Sequence, residues 1–186
     1  MRWFPVMAVV AAFGLSGCTA SPPPAPAPTK SSAPMSLTDT LAWHWAGAFC
    51  STPREVLTEI GNLGAHAADD QTAGTSTPAH RKQFQQEAVQ DTTTLAGLVH
   101  DNAMQVSETP PSATRDRINA VYQRLEADLG QLRRRADQLP TSDAATFGDA
   151  VVAITDDVHA AMERARKLVA ADAVVGHYLR GYSPCS

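Results

Sequence analysis

From residue 37 to residue 179 the apolar positions recur every three or four residues, and no stretch sustains the two-residue alternation of a half-buried strand. That spacing predicts helices throughout. The first opens at Ser36-x-x-Asp39, a start signal, and carries Leu41, Trp45 and Phe49 on one stripe. The chain then meets Ser51-Thr52-Pro53-Arg54-Glu55. Thr52 as N-cap, Pro53 at the first helical position and Glu55 three beyond the cap predict a new or sharply kinked helix there. Its inner stripe reads Val56, Ile60, Leu63 and Ala67, while Gly61 and Gly64 weaken it by propensity and permit a close neighbour.

Thr77-Pro78 repeats the cap-plus-proline signal and starts a longer stripe of Phe84, Ala88, Thr92, Leu95, Val99, Ala103 and Val106. Pro110-Pro111 breaks it. A third run follows with Ile118, Val121, Leu125, Leu129, Leu132, Ala136 and Leu139, ended by Pro140. Thr141, Ser142 and Asp143 are adjacent N-cap candidates for the last run: Phe147, Val151, Ile154, Val158, Ala161, Ala165, Leu168, Val175 and Leu179, interrupted by Asp172. Long amphipathic helices on short connections predict an all-α fold: an antiparallel four-helix-type bundle with a kinked or broken first helix.

The first 36 residues follow other rules. Arg2 is the only charge before an apolar run of about 13 residues, Trp3 to Leu15, too short for a spanning helix of about 20. The run closes on Leu15-Ser16-Gly17-Cys18, which resembles the lipobox of bacterial lipoproteins. The resemblance implies cleavage before Cys18, acyl chains such as palmitate on that cysteine, and attachment to the extracytoplasmic face of the cell membrane. Ordinary secretion with cleavage nearby is the alternative. Residues 19–36 are crowded with proline, which removes backbone donors and holds extended dihedrals. They predict a semi-rigid spacer reaching roughly 50 Å, at about 3 Å per residue. The expected organisation is a signal peptide over 1–17, a lipidated cysteine and linker over 18–36, and a helical domain over 37–186. With its lipobox, linker and single cysteine pair the chain is similar to the small alanine-rich lipoproteins of actinobacteria. Those features describe a mode of display and carry no activity with them.

Of three cysteines, acylation of Cys18 leaves Cys50 and Cys185 as a pair in an oxidising compartment, with two free buried thiols as the alternative. An up-and-down bundle brings the start of its first main helix and the end of its last to one pole, so the topology agrees with the pairing. A straight last helix would overshoot Cys50. The pairing therefore requires that residues 176–182 bend back, or that residues 37–49 stack above with Cys185 folded down beside them.

Charge and motifs narrow the function further. The formal net charge is −4, and −5 without residues 1–17, a poor field for nucleic acid. Trp43-His44-Trp45 is the densest aromatic cluster, and tryptophans two apart cannot share one helix face. One enters the core; the other is left near the surface, where a partner could meet it. His66 and His80, with Asp69 and Asp70, meet at one pole of the bundle and form weak metal candidates. Asp156-x-x-His159 lacks the glutamates and the second copy of a di-iron bundle. No HExxH, GxSxG, SxxK or CxxCH occurs, and Arg133-Arg134-Arg135 suits a helix C-terminus. The expectation is a non-enzymatic interaction or envelope-accessory protein with no cofactor, meeting the membrane through the lipid on Cys18 and an envelope protein or cell-wall component through helix faces. The alternative is a bundle holding a metal, haem or lipid between its helices.

Overall fold

The computed structural model describes residues 35–51 and 53–181; residues 1–34, with the expected leader and Cys18, Thr52, and residues 182–186, with Cys185, lie outside the described residues. The fold is all-α. The helices are α1 (Leu37–Ser51), α2 (Arg54–Ala73), α3 (Pro78–Ser107), α4 (Ala113–Asp137), α5 (Phe147–Ala171) and α6 (Val175–Gly181), and no strand occurs among the described residues.

Each boundary has a local cause. At the start of α1 the Ser36 hydroxyl donates to Asp39 Oδ2 (2.6 Å) and accepts the Asp39 N–H (3.1 Å), closing the first turn on itself. The chain breaks after α1 as the Thr-Pro signal requires, although Pro53 occupies the N-cap position of α2 instead of its first turn. A one-residue shift of this kind follows from the missing N–H of proline, which costs nothing at either place. Gly74 ends α2 with φ of 66°, a left-handed conformation that a β-carbon disfavours. Thr77 accepts the His80 N–H (3.2 Å) at the head of α3, and Ser112 accepts the Arg115 N–H (3.1 Å) at the head of α4.

The α4–α5 connection is longer than the cap candidates suggested. Asp143 accepts the Ala145 N–H (2.9 Å) and the Thr146 hydroxyl (2.7 Å), forming a turn, and α5 begins only at Phe147. These donors hold the Asp143 carboxyl below its usual range, the Thr146 hydroxyl most strongly. Arg81 then ties this turn to the opposite helix start. Its Nε donates to the Thr141 carbonyl (2.6 Å) and its Nη1 to the Ser76 carbonyl, with the residue only 4% exposed.

α2 packs against α3 and α5, and α4 packs against α3 and α5, so each of the four long helices has two long neighbours. Close approach of α2 and α5 depends on small residues. A β-carbon on Gly64 would stand 2.5 Å from Thr155 Oγ1, and one on Gly148 would stand 2.8 Å from the Ala67 carbonyl oxygen. Two apolar clusters form. One gathers Leu63, Ala67, Ala88, Ala136, Leu139, Phe147, Val151 and Ile154; the other holds α1 and α6 against the remaining halves of the long helices. Both lie within the compact unit Met35–Ser186, so among the described residues this head has a core of its own, as an independently folding domain does.

Most of the stripe positions are buried, with two corrections. Leu168 is 47% exposed and its neighbour Val169 is buried instead, while on α4 Tyr122 takes the inward position beside a half-buried Val121. One residue rotates a helical position by about 100°, so adjacent apolar residues compete for one face and the packing partner decides.

The last helix does not run straight. α5 stops at Ala171, and Asp172 accepts the N–H groups of Val174 (2.9 Å) and Val175 (3.0 Å), starting α6 in a new direction. Gly176 passes so close to the Ala170 carbonyl that any side chain there would collide. α6 then packs on α1.

Candidate functional site

The aromatic pair of α1 separates as its spacing requires: Trp45 is buried and Trp43 is 46% exposed. Between them α1 forms one wall of a cleft of about 490 Å³ that also takes Asn102, Gln105 and Val106 from α3, Thr109 just beyond it, and Tyr122 from α4. Trp43 stands edge-on to His44, with ring centroids 5.0 Å apart, at the outer margin. Phe49, outside the lining, meets the Tyr122 ring with centroids 5.9 Å apart.

Two properties set this cleft apart. No Asp, Glu, Lys or Arg lines it. And Tyr122, 1% exposed, has a buried hydroxyl with no hydrogen-bond partner, the one such side-chain atom among the described residues. A buried hydroxyl left unpaired costs about 1–3 kcal/mol. Burial pushes its pKa up, so the group stays a neutral phenol that can both donate and accept. Asn102, also buried, adds a carboxamide.

Elsewhere the shifted carboxylates have structural work. Burial pushes the Asp172 carboxyl up, but the Val175 and Val174 N–H groups and the Arg117 guanidinium (2.7 Å) outweigh it and hold it below the usual range. The Ser36 hydroxyl and then the Tyr178 hydroxyl lower Asp39, which links α1 to α6. The Arg166 guanidinium lowers Glu163 along one helix face.

His66, Asp70 and His80 do share a small cleft, of about 260 Å³, with His80 Nδ1 3.6 Å from Asp70 Oδ2; Asp69 is not among its walls. Among the described residues no group of three or more His, Cys, Asp or Glu side chains could hold a metal ion. His159 Nδ1–H donates to the Thr155 carbonyl (2.8 Å), within its own helix. Of the arginine triplet, Arg135 pairs with Asp157 of α5. Cys50 is buried at the end of α1, and Cys185 lies outside the described residues. No described helix is long and apolar enough to cross a membrane.

Sequence reasoning reached this cleft through Trp43 and Trp45 and missed Tyr122 and Asn102. Its only signal for Tyr122 was a polar-tipped aromatic beside an apolar stripe, and Asn102 sits similarly beside Ala103. No protein-family model, curated protein or solved structure matches the chain.

Proposed function

We propose that this chain is an exported lipoprotein, held through acylated Cys18 on the extracytoplasmic face of the cell membrane, whose helical head binds a ligand or partner in the α1 cleft and performs no chemistry on it. The observation that carries the binding reading is the unpaired Tyr122 hydroxyl in an uncharged cleft walled by tryptophan. Binding sites of this kind combine an apolar wall with a few fixed polar groups. An envelope protein or a cell-wall component would meet the head through its outer helix faces, apart from the cleft, within the roughly 50 Å that the linker sequence could span at about 3 Å per residue.

The head is read as an antiparallel four-helix-type bundle of α2 to α5 with α1 and α6 laid at one end. Its support is the composition of the smaller core cluster, which draws on the C-terminal parts of α2 and α4 and the N-terminal parts of α3 and α5. The Cys50–Cys185 disulfide is part of the same proposal. α6 packs on α1 and ends at Gly181, four residues before Cys185, leaving a reach of about 13 Å at 3.3 Å per residue.

Two measurements test the reading. Cys18→Ala should release the protein from membranes or leave its leader uncleaved; unchanged membrane retention contradicts the anchor. The head, residues 35–186, isolated from cells and extracted into organic solvent, should yield or accept a stoichiometric small molecule; a head that binds nothing contradicts the cleft.

A further inference from the structure

The cleft also restricts what can occupy it. We propose that its ligand is a small uncharged molecule with a flat apolar body and one hydrogen-bonding group, which enters between α1 and α3 and pairs with the Tyr122 hydroxyl. This rests on the binding reading above and specifies its ligand class.

The size argues for a small molecule. At about 490 Å³ the cleft lies within the 300–1,000 Å³ typical of small-ligand pockets, whereas an α-helix with its side chains is about 10–12 Å across. Charge comes next. With no Asp, Glu, Lys or Arg on its walls, the cleft offers an ion no counter-charge for the water it would lose. His44, which also lines the cleft, stands edge-on to Trp43.

The polar group follows from the orphaned hydroxyl. A neutral phenol satisfied by an amine N–H, an alcohol or a carbonyl gains a hydrogen bond it otherwise lacks, and the Asn102 carboxamide in the same cleft can donate or accept as well. The flat body follows from Trp45 and Tyr122, stiff aromatic walls that favour stacked or edge-on rings. The hydroxyl is closed to solvent and Phe49 stands against its ring at 5.9 Å, so the α1 wall has to give slightly before the ligand's polar group reaches it.

The molecule carries its own reporter. Of three tryptophans, Trp3 belongs to the leader, so Trp43 and Trp45 are the only ones in residues 35–186, and both line the cleft. Quenching of tryptophan emission in the head therefore reads occupancy of this site.

The test uses two dyes with one body: N-phenyl-1-naphthylamine, which is neutral, and 1-anilinonaphthalene-8-sulfonate, which adds an anionic group. Each is titrated into residues 35–186 while tryptophan quenching and dye fluorescence are followed. The expected result is saturable one-site binding of the neutral dye, at least tenfold weaker binding of the sulfonate, and a three- to tenfold loss of neutral-dye affinity in Tyr122→Phe. Tyr122→Phe removes only the oxygen and leaves the core filled, and its fold is checked by circular dichroism. Ala48→Phe, which narrows the cleft from α1, should abolish quenching. Failure of both dyes to quench overturns the binding reading together with the ligand class. Equal or tighter binding of the sulfonate, or a Tyr122→Phe head that binds the neutral dye unchanged, leaves the binding reading standing and overturns the ligand class alone.

Discussion

Asp172→Ala should loosen the C-terminal helix, and the structure says by how much. The carboxylate is almost fully buried, accepts the Val174 and Val175 N–H groups at 2.9 and 3.0 Å, and meets Arg117 at 2.7 Å. Loss of an N-cap costs about 1 kcal/mol, within a range of 0.5–2. Val175 is fully buried, so its N–H keeps no water as a substitute, and stranding it adds about 1 kcal/mol or more. The Arg117 pair adds little, because that guanidinium is 57% exposed and screened. The sum is about 2–3 kcal/mol. With a urea slope of about 2 kcal/mol per molar, the unfolding midpoint of the head should fall by about 1–1.5 M. Asp172→Asn retains the cap and loses only the charge, so it should cost under about 1 kcal/mol, as should Arg117→Ala. Because the Asp172 carboxyl is lowered in the folded head, its stabilisation is present above the unfolded carboxylate pKa and disappears as pH falls through the folded one. The gap between wild type and Asp172→Asn should therefore close in acid. Hydrogen exchange of residues 174–181 should quicken in Asp172→Ala before that of α3. A variant with an unchanged midpoint, or an asparagine as damaging as an alanine, refutes the assignment.

The helix contacts make two further predictions. Gly64→Ala should destabilise by about 1–3 kcal/mol because its β-carbon meets Thr155, whereas Gly97→Ala, with nothing within 4 Å of the new carbon, should stabilise α3 by about 0.5–1 kcal/mol; thermal melts of the two heads should move in opposite directions. Asp91 is raised by burial and by Glu59 and Glu87, beside Asn62 and His66 in the same groove, so its charge opposes folding above the folded pKa and protonation relieves the penalty as pH falls through it. Asp91→Asn should stabilise the head at neutral pH by no more than about 1 kcal/mol, read as a higher urea midpoint, and leave it unchanged in acid; an equal effect at both pH values removes the electrostatic explanation.

Helix content and most of the stripes were legible because burial against any neighbour enforces the same three-to-four spacing. Thr77-Pro78 began a helix where it stood, since its cap interacts only with its own first turn. Asp172 was visible as an interruption, but its cause, two N–H groups and an arginine 55 residues away, was not. Nothing in the sequence around Arg81 announced its burial, because the Thr141 and Ser76 carbonyls converge on it only when two helix ends meet. Periodicity likewise cannot separate Tyr122 from Val121 or Val169 from Leu168.

Local chemistry along the chain thus determined which segments are helical, where most of them start and stop, and which broad face of each turns inward. A helix makes these choices through contacts spanning three or four residues, and such contacts are written in consecutive letters. The cleft was decided elsewhere. Its walls come from α1, α3 and α4, and its defining feature, a phenol oxygen without a partner, exists only because three helices close around it.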